Sequence, residues 1–299
     1  MVTPSSLSKG DMVGILSTAR KITISQLDPF LRLLENWGLQ PVLGHTIGAV
    51  DDQYAGNDTL RKQDLQHMLD NPEIKAIWCA KGGYGTVRIV DGLDFTAFKE
   101  NPKWMIGYSD VTVLHSHIHN LNIETLHGQM GDGIDKKTDL TRLGLYDILF
   151  GKKHLIEANT RAGVTNRTGS ASGVLVGGNL SILYSLCGSP SSIDTNGKIL
   201  FIEDLDEYLY HVDRMMQNIK RNGMLQGLAG LIVGGMTSMN DNSVPFGKTA
   251  EEIVWDAVQE YDYPVCFGFP AGHVKDNRAM VMGRTIDLTV RDGEVKVQF

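Results

Sequence analysis

Short apolar runs alternate with amphipathic stretches through the first half of the chain, the pattern of strands and helices taking turns. Met12-Val13-Gly14-Ile15-Leu16 reads as a buried first strand. From Ser25 to Trp37, the residues Leu27, Phe30, Leu31, Leu34 and Trp37 recur at helical spacing, and Gly38 stands where such a helix would stop. Pro41-Val42-Leu43 predicts a second, edge-like strand. Asp58 is the expected cap of a helix to Leu69 that turns Leu60, Leu65 and Leu69 inward. Ile74 to Ala80 is a third strand, entering Lys81-Gly82-Gly83-Tyr84-Gly85. Lys103 to Gly107 is a fourth, followed by a helix through His119 and a short strand near Ile123 to Leu126. Such alternation implies an α/β fold with a mainly parallel sheet covered on both faces, its site at the carboxyl ends of the strands. Gly82-Gly83 and Ser109 both fall at such ends and are placed to meet there.

After about Asp147 the texture changes. Gly151 to Ser172 is polar, with the short β-compatible pieces Leu155-Ile156 and Gly163-Val164-Thr165. A domain boundary is expected near residue 160, dividing the chain into 1–160 and 161–299. Gly173 to Leu180 opens the second half. A strand from Lys198 to Glu203 ends in acids, a helix runs from Val212 to Asn222, and a strand from Leu228 to Val233 ends at Gly234-Gly235. Thr249 to Tyr261 reads as a helix, and Val265 to Phe269 as a strand leading into Pro270-Ala271-Gly272-His273. Ala279 to Met282 and Thr285 to Val290 predict a β-rich end.

Composition narrows the partners. With 42% hydrophobic and 21% charged residues, the 299-residue chain has the apolar content for a real core. A net charge of -7 leaves no basic surplus for phosphates, which argues against nucleic acid. No apolar run approaches the roughly 20 residues of a membrane helix. Met1 to Gly10 lacks the layout of a secretory signal, and Cys79, Cys187 and Cys266 are far apart without a CxxC pair. The expectation is a cytoplasmic protein with reduced cysteines.

The chemistry turns on Trp104 to Thr112. There an apolar run ends in Gly107, Ser109 sits at a corner, and a helix follows. A strand–turn–helix corner pushes a serine hydroxyl outward and places the next backbone N–H beside it. Val111 stands where the usual elbow has a second glycine, and Asp110 also reads as a plain helix cap. A serine nucleophile needs a base, and the base needs a group to fix its tautomer. His115, His117 and His119 follow Ser109 on its helix, but only His115 and His119 share a face and no nearby carboxylate completes a zinc motif. His127 sits just past a strand end, and His211 opens a helix among charges. His273 lies in a loop directly after an apolar strand, where a side chain can project into a cleft. For the third group, Phe201-Ile202-Glu203-Asp204 brings a carboxylate out of a buried strand. Asp206, Glu207 and Asp213 follow closely, and spacing does not choose among these acids. The Lys81 to Gly85 stretch has neither a P-loop ending nor the dinucleotide fingerprint. Its glycines suit donation of backbone N–H groups to an oxyanion, or simply a turn with positive φ.

Several motifs occur in a specific order: Gly10-Asp11-Met12-Val13-Gly14, Lys81 to Gly85, Gly107-Tyr108-Ser109-Asp110-Val111-Thr112, Gly177-Gly178-Asn179-Leu180, Phe201 to Asp204 with Asp213-Arg214, and Pro270 to His273. Together they resemble the LD-carboxypeptidase family, serine peptidases of the muramoyltetrapeptide carboxypeptidase type, over nearly the whole chain. The resemblance implies a flavodoxin-like N-terminal domain and a β-rich α+β C-terminal domain, with the site in the cleft between them. It further implies a homodimer without metal or cofactor. It places the nucleophile on Ser109, the acid on Glu203 and the base on His273. For acyl transfer by these three, the backbone N–H groups of Gly83 and Asp110 are the expected oxyanion donors. The implied substrate is a murein tetrapeptide, cut between a dibasic L-centre and the terminal D-alanine during cytoplasmic recycling of cell-wall fragments.

A carboxypeptidase also needs a cation or an N–H cluster for the terminal carboxylate, and Arg88 and Lys81 are the candidates. The chain departs from the family in Lys81, where arginine is frequent, and in Ser17-Thr18, where Pro-Ser often follows the first strand. Rival readings are hydrolysis of peptide–nucleotide antibiotics, as in a related branch, a non-catalytic two-lobed binder of a small ligand, and a cysteine hydrolase using Cys79.

Overall fold

The computed structural model describes residues 1–159 and 166–299. The boundary expected at residue 160 and the Gly163-Val164-Thr165 piece lie outside the described residues. In the first half, the strands β1 (Met12–Leu16), β2 (Gln40–Leu43), β3 (Ile74–Cys79), β4 (Trp104–Gly107) and β5 (Thr125–His127) run parallel in the order β2-β1-β3-β4-β5. The helices α1 (Ile24–Asn36), α2 (Asp58–Asp70), α3 (Thr96–Glu100), α4 (Thr112–His119) and α5 (Asp139–Leu149) connect and cover them. This is the flavodoxin-like order, with its switch point between β1 and β3.

β3 shows why these strands read as unbroken apolar runs. Ala76 and Trp78 pack on one face with Leu27, Phe30 and Leu34 of α1. Ile77 and Cys79 pack on the other with Leu65, Met68 and Leu69 of α2 and Leu114 of α4. Thr23 starts α1 through a capping box with Gln26. α2 is capped by Asn57 rather than by Asp58. Asn57 has the extended backbone a cap requires and accepts from the Leu60 N–H at 2.9 Å, while Asp58 is already helical and pairs with Arg61 and Arg88.

The second half contains β6 (Leu155–Asn159), β7 (Gly169–Asn179), α6 (Leu180–Leu186), β8 (Ile199–Leu205), α7 (Leu209–Arg221), β9 (Gly230–Thr237), α8 (Ala250–Val258), β10 (Val265–Cys266), β11 (Met280–Met282), β12 (Thr285–Arg291) and β13 (Glu294–Gln298). All but β11 form a mixed sheet in the order β10-β9-β8-β7-β12-β13-β6. Alternate residues of β8 again feed two cores. Leu200 and Ile202 pack with Val212, Met216, Ile253 and Val254 of α7 and α8. Ile199 and Phe201 pack on the opposite face with Ile286 and Leu288 of β12.

Two strands decide where the halves meet. β6 precedes residue 160 yet pairs with β13 in the second sheet. β11 comes from the C-terminal half yet extends the first sheet, antiparallel to β5. The loop between β10 and β11 therefore crosses from one sheet to the other, and His273 lies on that crossing.

Candidate active site

β4 ends at Gly107, and Ser109 follows at φ 62 in the left-handed region. A non-glycine residue held there costs about 1–3 kcal/mol and persists only where its surroundings impose it. A single tight turn, Ser109–Val111, then leads into α4. The corner read from the sequence is present, and its serine is half-buried.

Asp110 does not cap the helix. α4 starts at Thr112 with no side-chain cap at Val111. The Asp110 carboxylate turns away and accepts from the Thr86 N–H at 2.9 Å and the Thr86 hydroxyl at 2.6 Å. Burial pushes the Asp110 carboxyl up, and the bonds from Thr86 oppose that. The carboxylate thus ties the serine corner to the glycine loop after β3.

That loop sits directly against the serine. A Cβ on Gly82 would stand 3.2 Å from Ser109 Cβ and 3.4 Å from its Oγ. Gly83, at φ 115, holds a backbone conformation that side chains rarely adopt. Among the described residues, the N–H groups of Gly83 and Asp110 have no hydrogen-bond partner. Buried Arg61 braces the loop from below, donating to Thr18 O at 2.6 Å and Gly85 O at 2.9 Å.

The acid and the base arrive from the other sheet. Glu203 continues the Ile199–Phe201 face of β8, so it points toward the crossing loop, and it is fully buried. Its Oε2 accepts from His273 Nδ1 at 2.7 Å and from the His273 backbone N–H at 3.2 Å. Gly272, at φ 96, makes this approach feasible, because a Cβ there would stand 2.5 Å from Glu203 Oε2. The register of β8 against β9 slips between Ile202 and Asp204, opposite Gly234-Gly235. The strand continues through those glycines rather than stopping at Val233, and the Gly235 N–H donates to Ala271 O at 3.0 Å. This draws the His273 loop onto the sheet.

Neighbouring Asp204 takes the opposite face. It accepts from the Ser181 N–H at 2.8 Å, the Leu205 N–H at 2.9 Å and Asn179 Nδ2 at 2.9 Å. Burial, followed by the Glu203 charge, raises its carboxyl to about 7.

A cleft of about 480 Å³ joins these parts, lined by Ser109, Gly82, Gly83, His273, Asn179 and Arg20, with Asp204, Asp206 and Glu207 along one wall. Ser109 and His273 face it together but share no direct hydrogen bond. Catalytic bonds of this type are frequently long before substrate binds and tighten in the complex. The Tyr108 ring lies 4.8 Å from the His273 ring, at 53° to it.

Several other candidates lie elsewhere. Cys79 is fully buried, and desolvation pushes its thiol up to about 12, the opposite of an activated nucleophile. His115 is buried, bonded to Thr125 Oγ1 and Gly107 O. His127 is buried at the end of β5, its ring 5.0 Å from Phe201. His211 pairs with Glu207 at 2.6 Å. Arg88 is bound by both carboxylate oxygens of Asp58, outside the cleft. Lys81 lines the cleft paired with Asp132 at 2.9 Å.

Asn179 belongs to this constellation although the sequence reading gave it no role. It caps α6, its N–H donates to Thr112 Oγ1 at 3.0 Å, and its Nδ2 reaches Glu203 Oε1 at 3.4 Å. An asparagine between two glycines and an apolar helix is a cap signal, and that was the clue available.

The fold and cleft define a two-part α/β protein with a strained serine corner on one side and a carboxylate–histidine pair on the other. The chain belongs to the LD-carboxypeptidase family, whose N-terminal domain matches residues 13–128 and whose C-terminal domain matches residues 172–288. It is 38% identical to the "probable murein peptide carboxypeptidase" of Bacillus subtilis, over 94% of this chain and 89% of that one. It is 28% identical to the murein tetrapeptide carboxypeptidase of Pseudomonas aeruginosa, over 91% of each. The same fold occurs in the muramoyltetrapeptide carboxypeptidase of Oxalobacter formigenes, with a TM-score of 0.87 at 23% identity over 96% of this chain and 98% of that one. It also occurs in the microcin C7 self-immunity protein MccF, with a TM-score of 0.90 at 21% identity over 100% and 99%.

Proposed function

We propose that the protein is a serine carboxypeptidase that releases the terminal D-alanine of murein tetrapeptides by cutting an L,D bond. Family membership supports the reaction class. The observation that carries the site is the placement of Ser109, on a left-handed corner, in the same cleft as a histidine already bonded to a buried glutamate.

In this reading Ser109 Oγ attacks the peptide carbonyl carbon while His273 Nε2 takes its proton. Glu203 holds Nδ1–H and stabilises the imidazolium. The N–H groups of Gly83 and Asp110 receive the oxyanion, each such donor lowering the barrier by about 3 kcal/mol. When the tetrahedral species collapses, the C–N bond breaks and His273 returns the proton to the leaving amine of D-alanine. Water, deprotonated by the same histidine, then hydrolyses the acyl-enzyme.

Residues 1–160 supply the nucleophile and residues 161–299 the acid and base, and the working form is a cytoplasmic homodimer acting on recycled cell-wall peptides. Asp206 and Glu207 on the cleft wall favour the ammonium of a dibasic residue and disfavour the phosphate of a peptide–nucleotide conjugate. That places antibiotic hydrolysis second.

The test is D-alanine release from tetrapeptides carrying lysine or diaminopimelate, with fluorophosphonate labelling in parallel. Release and labelling should both vanish in Ser109→Ala. Undiminished release by that variant would overturn the assignment.

A further inference from the structure

A peptide's terminal carboxylate is separated from the scissile carbonyl carbon by the amide nitrogen and one Cα, a reach of about 4 Å. Whatever receives it must therefore stand beside the oxyanion donors. Arg88 does not, being clamped by Asp58 outside the cleft. Lys81 does line the cleft, but Asp132 at 2.9 Å already neutralises its charge.

Arg20 meets both requirements. It lies on the loop after β1, and β1 forms one side of the sheet's switch point. Its backbone is held from two directions, its N–H donating to Gly82 O at 3.3 Å and its C=O accepting from Ser17 Oγ at 2.6 Å. Its side chain runs over Gly83, with Cγ and Cδ each 2.6 Å and Nε 2.7 Å from where a Cβ on that glycine would lie. The missing Cβ is what admits the arginine. The guanidinium faces the cleft, and among the described residues it has no hydrogen-bond or ion-pair partner. It is thus an uncompensated fork of donors immediately beside a proposed oxyanion N–H, a geometry matched to a carboxylate.

We infer that Arg20 binds the terminal α-carboxylate of the peptide substrate and so restricts cleavage to the last residue. This rests on the carboxypeptidase reading above. It also gives the Ser17-Thr18 loop a role, since Ser17 anchors the arginine backbone.

The experiment compares a tetrapeptide ending in D-alanine with the same peptide ending in D-alaninamide, for the unaltered enzyme, Arg20→Gln, Arg20→Lys and the control Arg88→Gln. The unaltered enzyme should prefer the free acid. In Arg20→Gln that preference should fall on the order of 100-fold, chiefly through KM for the acid. Arg20→Lys should retain part of it, and Arg88→Gln all of it. An unchanged acid-over-amide ratio in Arg20→Gln would overturn the inference while leaving the carboxypeptidase reading intact. Absence of D-alanine release by the unaltered enzyme would overturn that reading itself.

Discussion

Glu203 Oε2 receives two hydrogen bonds from one residue, the ring Nδ1–H of His273 at 2.7 Å and its backbone N–H at 3.2 Å. The carboxylate fixes the ring tautomer and the loop position with one oxygen, leaving Nε2 as the ring nitrogen free to serve as base. A fully buried acid holding a partly exposed histidine in this way is pre-organised for proton transfer.

Because Ser109, His273 and Glu203 act as a unit, their losses should not add. Ser109→Ala or His273→Ala should each lower kcat by roughly 10⁴-fold or more, and the double variant should be no worse than either. Glu203→Gln should cost less than removal of His273. Single-turnover release of D-alanine measures all three, and additive losses would contradict a shared step.

Gly272→Ala tests the close approach. The new Cβ would meet Glu203 Oε2 at 2.5 Å in a backbone already at φ 96, so the His273 loop must shift. Stability should fall by about 1–3 kcal/mol and kcat by on the order of 100-fold. Gly223→Ala, at φ 77 in open space, should show the backbone cost without the kinetic one. Urea midpoints and kcat together separate the two effects.

Asp110→Ala should leave the buried Thr86 N–H without its acceptor, while the Thr86 hydroxyl keeps only Thr18 Oγ1, at a cost of about 1–3 kcal/mol. The glycine loop loses its tie to the serine corner, so kcat should fall more than KM rises. If Asp110 were only a helix cap, Asp110→Asn would behave like the unaltered protein in both measurements.

Asp204 makes a prediction about pH. Burial and the Glu203 charge raise its carboxyl to about 7 in the folded state, against about 4 in an unfolded chain. Between those values the folded protein holds a proton that the unfolded one has released, so this group's contribution to stability falls as pH rises through that window. Asp204→Asn should remove that fall, giving a flatter stability profile from pH 4 to 7. Denaturation curves across the range decide it, and an unchanged slope would contradict the shift.

Much of the first half was legible because it is local. The unbroken apolar run of β3 and the helical spacing of α1 are local patterns, and the stop after Trp37 follows from Gly38 at φ 80, a conformation glycine adopts freely. Element ends slipped where two polar residues competed, as with Asn57 and Asp58, because a cap is chosen by backbone angles rather than by residue type. The family motifs picked out Ser109, Glu203 and His273. Strand parity alone puts Glu203 and Asp204 on opposite faces of β8, but it does not say which face meets a histidine.

By itself, then, the sequence determined the alternation of strands and helices, the serine corner after β4, and the residues carrying the family pattern. Tertiary structure decided what no local pattern contains. β11 joins the first sheet, so the loop before it must cross from one sheet to the other, and that crossing brings His273 to the cleft beside Ser109. Asp110 turned from cap to tether because Thr86, distant in sequence, offers it two donors in a buried site. Arg20 emerged only when Gly83 folded beneath it. Each of these depends on contacts between segments far apart in the chain, and packing rather than propensity sets them.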